Sequence, residues 1–302
     1  MSPPGTADRL PVDTGLVRRL VAARFPQWAE LPVVPLEPGG WDNFSFRLGK
    51  DMSVRLPGAA PYASQPAKEF EWLPRLAPHL PRPIPTPLAL GEPGSGYPFR
   101  WTVCRWLPGQ PATPDRIAGA VQFARDAAAF LVALQSIDTT GGPAAGPANF
   151  FRGGDLPVYD AQTRQALAVA GHRVDVAAAL EVWETALAAR WTGPPVWVHG
   201  DFAWGNLLVE NGALCAVIDF GNSAVGDPAC DLTLAWTLFA GEARETFCAA
   251  LSVDPGTWAR ARGWALWKAL IVMADLSNAN PGDPVQPADI AATVIADHRR
   301  FA

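Results

Sequence analysis

The spacing of apolar residues changes several times along the first third of the chain. Apolar residues recur every three or four positions over residues 14–30, which predicts a helix that ends as Pro32 arrives. Shorter apolar runs, bounded by glycine or proline, follow and predict strands. A second helical pattern contains a proline, Pro74, which weakens it. The predicted order after the first helix is β-β-β-α-β-β, with strands at residues 33–36, 43–48, 52–56, 88–90 and 99–106 and the helix at residues 65–80.

Helical spacing dominates the rest of the chain. The segment LPGQPATPD, which begins at Leu107, is rich in proline and glycine and is expected to be an irregular connector. Short apolar runs between residues 196 and 218 predict small strands within the helical region, and helix returns after Cys230. Further helices are predicted over residues 116–135, 159–170 and 174–189.

These patterns together predict an α+β fold with two lobes. We expect an N-terminal lobe, residues 1–106, built on a small antiparallel sheet, and a larger, mainly helical C-terminal lobe, residues 107–302. The chain has 302 residues, of which 49% are hydrophobic and 18% are charged, so it contains enough apolar side chains for cores of this size.

Charge and composition exclude two classes of partner. The net charge is −5 and no block of lysine or arginine is present, so the chain lacks the basic surface that binding to nucleic acid or an anionic membrane requires.

The opening residues do not resemble a secretion signal, and the most apolar stretch, residues 266–276, is too short to cross a bilayer. The four cysteines include no C-x-x-C pair and are expected to be reduced core thiols. We therefore expect a cytoplasmic protein without a membrane span.

The strongest chemical signal is the segment VHGDFAWGNLLVENGALCAVIDFGNSAVGDPACDL, residues 198–232. Asp201 and Asn206 have the spacing of a kinase catalytic loop, and Asp219-Phe220-Gly221 matches the kinase metal-binding triplet. In phosphoryl transfer, Asp201 would orient the acceptor hydroxyl and take its proton. Asn206 and Asp219 offer the hard oxygen ligands that suit Mg²⁺ held together with nucleotide phosphates.

The same segment resembles the aminoglycoside phosphotransferase family of small-molecule kinases. It has Gly200 where protein kinases have arginine, and it continues into the sequence GDPACDL, in which Asp231 is expected to hold the loop from the following helix. The resemblance extends from about Gly39 to Trp236. It implies a bilobal, protein-kinase-like fold, Mg²⁺, ATP or GTP as co-substrate, and a small-molecule alcohol as acceptor.

The resemblance also implies phosphate-binding residues in the N-terminal lobe. Arg55 stands where the family commonly has a lysine that pairs with a helix glutamate, and Glu69 stands at the matching place in the following helix. Glu71 is the alternative partner, disfavoured by its register with the apolar residues of that helix. Arginine departs from the family pattern because its guanidinium is planar and donates from several N–H groups, whereas a lysine ammonium acts as a point charge.

Two further parts of the nucleotide site are weaker predictions. Gly40 and Asn43 lie in the turn between the first two strands, where a phosphate-covering loop would lie, but the turn is not G-x-G-x-x-G, and an ordinary hairpin turn explains it equally well. By analogy with the family, the backbone at Arg105 and Leu107 would form the hinge that pairs with the purine edge. Because backbone atoms would contact the base, ATP and GTP both remain open.

The acceptor is the least determined part of the prediction. Kinases of polycationic aminoglycosides are expected to surround the acceptor with carboxylates, whereas the catalytic loop here carries Phe202, Ala203 and Trp204, which would suit a less charged alcohol such as a macrolide sugar. We therefore expect a kinase that phosphorylates an aminoglycoside-like or macrolide-like antibiotic or a related metabolite.

Three other functions share some of these sequence features. A protein kinase is disfavoured because only residues 222–225 separate the Asp-Phe-Gly triplet from Gly226-Asp227-Pro228, which leaves no room for a long activation segment. A kinase of housekeeping metabolites such as choline or homoserine would use the same residues. A nucleotide-binding pseudoenzyme would explain the missing glycine-rich signature and lysine, but it has no use for Asp201. The oligomeric state is left open.

Overall fold

A five-stranded antiparallel sheet forms the N-terminal part of the computed structural model, which describes residues 9–36, 40, 42–277 and 282–301. The spatial order of the strands is β1-β2-β3-β5-β4, so the strand that ends at the expected hinge lies inside the sheet. Helix α1 packs on one face of this sheet, and helix α2 packs against β4 and β5. The elements are α1 Thr14–Arg24, β1 Val33–Pro35, β2 Asn43–Leu48, β3 Met52–Pro57, α2 Gln65–Leu76, β4 Pro87–Gly91 and β5 Trp101–Arg105.

The strand predictions for this part are confirmed within about two residues at each end, whereas both helices are shorter than predicted. α1 ends at Arg24 because Phe25 precedes Pro26 and takes an extended φ of −132°, after which Pro26–Trp28 forms a 3₁₀ turn. α2 ends at Leu76, since Pro78 has no N–H to continue the helical hydrogen bonds.

The C-terminal part is mainly helical and contains two small sheets, which confirms the predicted α+β class. One sheet pairs β7 with β10, and the other has the order β6-β8-β9. The elements are β6 Gln110–Pro111, α3 Ala120–Gln135, α4 Asp160–Ala170, α5 Val176–Ala188, β7 Val196–Val198, β8 Leu207–Glu210, β9 Ala213–Val217, β10 Ala224–Gly226, α6 Leu234–Thr237, α7 Gly241–Leu251, α8 Pro255–Met273 and α9 Pro287–Phe301.

The proline-rich connector is not wholly irregular, which corrects the sequence prediction. Gln110 and Pro111 pair with Val209 and Leu208 and so add an edge strand to the sheet beside the catalytic-loop motif. A two-residue strand that contains proline has no periodicity to detect, and proline is tolerated there because an edge strand can leave that position unbonded.

Buried apolar residues form two clusters, and α2 belongs to the larger one while it packs against the N-terminal sheet. The smaller lies between α1 and the N-terminal sheet. The larger fills the helical part, and it also includes Trp72, Leu73 and Leu76 of α2 together with Ile84. α2 therefore joins the two halves of the molecule, and the lobe boundary at Leu107 stays a prediction.

Helix α8 is the central helix of the C-terminal part. Most of its 19 residues are buried, including two arginines that carry charge into the core. Arg260 donates to both carboxylate oxygens of Asp227, at 2.7 and 3.1 Å, and Arg262 donates to Asp297 at 2.7 Å. In the part of the chain that the structure describes, no helix is long and apolar enough to cross a membrane, and all four cysteines are free.

Replacing Asp227 with alanine should destabilise the fold strongly. Both partners of the Asp227–Arg260 pair are about 95% buried, so Asp227→Ala leaves an uncompensated arginine in the core and is expected to cost about 3–5 kcal/mol of unfolding free energy. Urea unfolding followed by circular dichroism measures this cost. The matched control is Glu92→Ala, which breaks the exposed Arg100–Glu92 pair and should cost less than about 1 kcal/mol. Equal costs for the two variants would contradict the prediction.

Candidate active site

The catalytic-loop motif lies between β7 and β8, and the side chain of His199 holds it in place by hydrogen bonds and ring packing. His199 is fully buried, and its Nδ1 accepts the N–H of Asp201 at 3.2 Å. The Nε2 atom therefore carries the proton and donates to the carbonyl of Ile218 at 3.0 Å. The ring also packs on Phe220, with the ring centroids 4.5 Å apart. One imidazole thus connects the loop to the strand end that carries Asp219.

Asp231 holds the same loop from the other side. Its two carboxylate oxygens accept the N–H groups of His199 and Gly200 at 2.6 and 2.8 Å, and its side chain is completely buried. Gly200 has φ +81°, and a Cβ there would lie 2.2 Å from the carbonyl oxygen of Asn222. Glycine at this position therefore follows from local geometry, since any side chain would displace the neighbouring loop.

Asn206 and Asp201 form a direct pair within the loop. The Nδ2 atom of Asn206 donates to the backbone carbonyl of Asp201 at 2.9 Å and to its carboxylate at 3.0 Å. Because its amide nitrogen is used in this way, the Oδ1 atom of Asn206 is the atom available for a cation. The Asn206 carbonyl also accepts the N–H of Ile218 at 2.8 Å, so the residue before Asp219 lies beside Asn206.

Asp219 has a left-handed backbone, with φ +67° and ψ +67°, which is rare for an aspartate and is a common feature of functional sites. Its carboxylate forms an ion pair with Arg55, whose Nη2 atom donates a hydrogen bond to Oδ1 at 2.7 Å. Burial opposes ionisation of this carboxyl, but the charge and hydrogen bond of Arg55 lower its pKa below the ordinary value. Asp219 is therefore an anion across the neutral pH range.

Arg55 bridges two carboxylates that belong to different parts of the chain. Its Nη1 atom lies 3.1 Å from Glu69 on α2, while Nη2 contacts Asp219. Glu71 instead pairs with Arg75 on the surface of the helix. The arginine fork allows both contacts at once, which a lysine ammonium could not make with the same planar geometry.

Gln65 connects the turn between β1 and β2 to the segment after Asp219. Its Oε1 accepts from Asn43 at 3.4 Å, and its Nε2 donates to Asn222 at 3.2 Å and to Asp42 at 3.5 Å. A Cβ on Gly221 would lie 2.6 Å from the Gln65 amide carbon, so the glycine of the triplet gives this side chain its space. Gln65 was not predicted from the sequence, because one polar residue at the start of a helix has no distinctive pattern.

The remaining predicted nucleotide residues lie at the edges of this network. The Gly40 carbonyl accepts from Arg9 at 3.2 Å, whereas its neighbours at positions 39 and 41 lie outside the described residues. The Arg105 N–H donates to the carbonyl of Thr86, the residue before β4, at 2.9 Å. Leu107 follows the last residues of that strand and is half-buried.

Two charged residues that the sequence reasoning missed lie close to Asp219. Burial, followed by the charges of Asp219 and Asp201, raises the pKa of Asp42 to about 7. Lys68 of α2 donates to the carbonyl of Ser223 at 2.8 Å, and burial lowers its pKa to about 8. The site therefore contains more titratable groups than the kinase motif alone provides.

The apolar residues of the loop do not all face an acceptor, which corrects the argument drawn from them. Phe202 is 1% exposed and stacks on Phe130 with ring centroids 5.9 Å apart, so its apolar character serves the core. Trp204 is also buried and donates from Nε1 to Asp283 at 2.8 Å. The composition of the loop therefore says little about the acceptor.

Comparison with known proteins places these residues in context. A family model described as the phosphotransferase enzyme family matches residues 33–264. None of the curated proteins matches the chain in sequence.

Solved structures similar to this chain include kinases of two antibiotic classes. A GDP complex of a mutant aminoglycoside 2'-phosphotransferase-IIIa has a TM-score of 0.71 and 17% identity, and covers 96% of this chain and 100% of that chain. The macrolide 2'-phosphotransferase MphH from Brachybacterium faecium has a TM-score of 0.60 and 23% identity, and covers 95% and 97%. The ADP-bound aminoglycoside phosphotransferase APH(2'')-Ib has a TM-score of 0.59 and 17% identity, and covers 96% and 98%. These matches confirm the bilobal, protein-kinase-like fold that the sequence resemblance implied.

Removing the charge of Asp42 should stabilise the protein at high pH. The pKa of Asp42 is raised from 3.8 to about 7, so the native state retains a proton that the unfolded chain releases, and stability falls as the pH rises between these values. Asp42→Asn removes this cost and should add about 1–3 kcal/mol at pH 8, with the gain shrinking as the pH approaches 4. Denaturant unfolding of both proteins from pH 4 to 8 measures the difference.

The control for this experiment is Asp51→Asn, because Asp51 is exposed in the turn between β2 and β3. Its effect on stability should be small at every pH. A gain in unfolding free energy from Asp42→Asn that is the same at pH 5 and pH 8, or no gain at all, would contradict the raised pKa of Asp42.

Proposed function

We propose that this chain, which belongs to the phosphotransferase enzyme family, is a small-molecule kinase. It would transfer the γ-phosphate of a magnesium nucleotide to a hydroxyl of an aminoglycoside-like or macrolide-like antibiotic or a related metabolite. The observation that carries this proposal is the joint placement of Asp201, Asn206 and Asp219 at the ends of β7, β8 and β9. These are the residue types that phosphoryl transfer to an alcohol requires.

Asp201 is the proposed catalytic base. Asn206 donates to its Oδ2 atom, so this oxygen is held in place and the other oxygen, Oδ1, is the one that would accept the hydrogen bond of the acceptor hydroxyl. As the oxygen of the acceptor attacks the γ-phosphorus, its proton passes to Asp201 and the bond to the leaving nucleoside diphosphate breaks. The hydrogen bonds of the loop backbone to Asp231 keep this carboxylate in position.

The donor set at the site fits Mg²⁺. Asn206 offers the amide oxygen that its hydrogen bonds leave available, and Asp219 offers an ionised carboxylate that is 29% exposed. Among the described residues no group of three or more His, Cys, Asp or Glu side chains could hold a metal ion, so an ion bound by Asn206 and Asp219 would take its other ligands from phosphates and water. When bound, Mg²⁺ would neutralise the charge that develops on the phosphate oxygens.

The nucleotide would lie between the N-terminal sheet and the catalytic loop. Arg55, oriented by Glu69, is the proposed ligand of the α- and β-phosphates, and Gly40 and Asn43 belong to the turn proposed to cover them. The backbone at Arg105 and Leu107 is the proposed contact to the purine. Because similar structures carry GDP in one case and ADP in another, both ATP and GTP remain possible donors. In this proposal residues 1–106 bind the nucleotide and residues 107–302 supply the base and the acceptor site.

A second candidate function is a housekeeping metabolite kinase, which the same residues would serve. Arg152, whose Cβ lies next to Gly200, and Lys268 place positive charge near the loop, which disfavours polycationic aminoglycosides and also choline, and favours a metabolite without net positive charge. A nucleotide-binding pseudoenzyme is the third alternative, and the ordered Asp201–Asn206 pair argues against it.

The proposed base is tested by Asp201→Asn, which keeps the shape of the side chain and its hydrogen bond to Asn206. The kcat for nucleotide turnover should fall by about 10²- to 10⁴-fold, because the hydroxyl proton loses its acceptor. The Kd for the magnesium nucleotide, measured by calorimetry, should change by no more than a few-fold. Wild-type protein that binds nucleotide but phosphorylates no acceptor would favour the pseudoenzyme instead.

The proposed phosphate ligand is tested by Arg55→Gln. Loss of a charge-assisted hydrogen bond should raise the KM for the nucleotide by about tenfold or more, while the KM for the acceptor changes little. Steady-state kinetics with each substrate varied in turn separates the two constants. The control is Arg18→Gln, at an exposed position of α1. A nucleotide KM equal to that of wild type would remove Arg55 from the site.

A further inference from the structure

Arg152 lies beside the catalytic loop with its charge unpaired among the described residues. A Cβ on Gly200, the residue before Asp201, would meet the Cβ of Arg152 at 3.0 Å. The guanidinium lies over the rings of Trp264 and Trp267, 4.9 and 5.1 Å from their centroids. Its Nε atom is buried and has no hydrogen-bond partner in the described part of the molecule.

The backbone that carries Arg152 is strained and firmly anchored. Phe150 and Phe151, the two preceding residues, both adopt left-handed φ angles of 52° and 54°. Such conformations are unfavourable for phenylalanine and persist only where surrounding contacts enforce them. Backbone hydrogen bonds hold this segment, since the N–H of Phe151 donates to Gly146 at 2.8 Å and that of Arg152 to Asn149 at 3.1 Å, while the buried Asn149 side chain accepts the N–H of Gly146 at 2.8 Å. The loop thus holds the arginine in one place at a conformational cost.

Lys268 brings a second cation to the same region. It lies on α8 immediately after Trp267, is accessible to solvent, and donates to the hydroxyl of Ser277 at 3.1 Å. Crowding by protein atoms and then the charge of Arg152 lower its pKa, while Asp201, Asp283 and Asp42 act in the opposite direction. Because the Arg152 guanidinium lies over the ring of Trp267, the residue before Lys268, both cations belong to the same region of the molecule.

The two cations differ from the two arginines of α8. Arg260 and Arg262 on the same helix each donate to a carboxylate at 2.7 Å. Among the described residues, neither Arg152 nor Lys268 has a carboxylate oxygen within the 4.0 Å of an ion pair, and Asp283 accepts a hydrogen bond from Trp204. Neither cation is therefore in an ion pair, and an oxyanion bound between them would pair with both.

We propose that Arg152 and Lys268 bind an anionic group of the acceptor, so that the acceptor is an acidic alcohol whose hydroxyl reaches Asp201. This inference rests on the proposed kinase function and specifies its substrate class. A hydroxy acid, with its carboxylate on the two cations and its hydroxyl on the catalytic base, fits the arrangement, whereas a polycationic aminosugar would be repelled by it. Arginine offers a planar fork for such a carboxylate, and lysine adds a second charge.

The first experiment measures binding without turnover. Calorimetric titrations use the protein saturated with magnesium ADP, so that nucleotide phosphates already occupy their own site. The probes are glycerate, malate and gluconate, each compared with its neutral amide. The wild type should bind at least one acid more tightly than its amide. Arg152→Gln and Lys268→Met should each weaken binding of that acid by about 10- to 100-fold and leave the amide unaffected.

The second experiment measures transfer to the same acids and amides, to choline, and to aminoglycoside and macrolide acceptors. Nucleoside diphosphate release and the mass of the product identify the acceptor. The acids should have the highest kcat/KM, and both substitutions should raise the acceptor KM while leaving the nucleotide KM unchanged. The controls are Arg18→Gln and Lys50→Met, which remove the same charges from exposed positions far from the loop.

Several outcomes would overturn the inference. Preferred transfer to neutral or cationic acceptors, with no change in the two variants, would show that the cations do not bind the acceptor. A rise in nucleotide KM in both variants would assign them to the transferred phosphate instead. If no acceptor is phosphorylated, the proposed kinase function fails, and the titrations still decide the anion site: equal binding of acid by wild type and variants rejects it, and selective loss supports it.

Discussion

One buried carboxylate determines where the catalytic loop lies. Asp231 accepts the N–H groups of His199 and Gly200, which are the two residues before the proposed base. A buried backbone N–H without an acceptor costs free energy, so the loop cannot leave this position without losing two hydrogen bonds at once. Asp201 is therefore placed by the residue 30 positions further along, and the reach of Asn206 to Asp201 depends on the same constraint.

Arg55, on the N-terminal sheet, forms ion pairs with two carboxylates, and one of them, Asp219, lies beside this loop. The arginine satisfies Glu69, which is 5% exposed, and at the same time pairs with Asp219. A bound magnesium nucleotide brings both a cation for Asp219 and anionic oxygens for Arg55, so each partner of the present ion pair would receive a new counter-charge. We therefore expect nucleotide binding to exchange one set of ion pairs for another without leaving a buried charge unpaired.

The sequence allowed prediction of the elements and residues that have local signatures. Strand β2 is predicted at residues 43–48 because a short run with apolar residues there is bounded by glycine turns, and Asp201, Asn206 and Asp219 are predicted because their spacing matches that of kinases. Gln65 and Lys68 had no such signature, since their importance arises only when α2 packs against the segment after Asp219. Phe202 misled the interpretation for the same reason, because its place in the core depends on a ring 72 residues earlier, Phe130.

The proposed phosphoryl-transfer residues and the residues proposed to select the acceptor lie in different parts of the structure. Structures of an aminoglycoside kinase and a macrolide kinase match this chain over nearly its whole length at 17% and 23% identity, so one fold accommodates acceptors of very different charge. The base and the proposed metal ligands lie on strand ends and short loops that the fold itself positions. Arg152 and Lys268 lie instead on a strained loop and on the exposed side of α8. Side chains of this second kind can change without disturbing the reaction, and for that reason the nature of the acceptor has to be inferred from them and not from the catalytic loop.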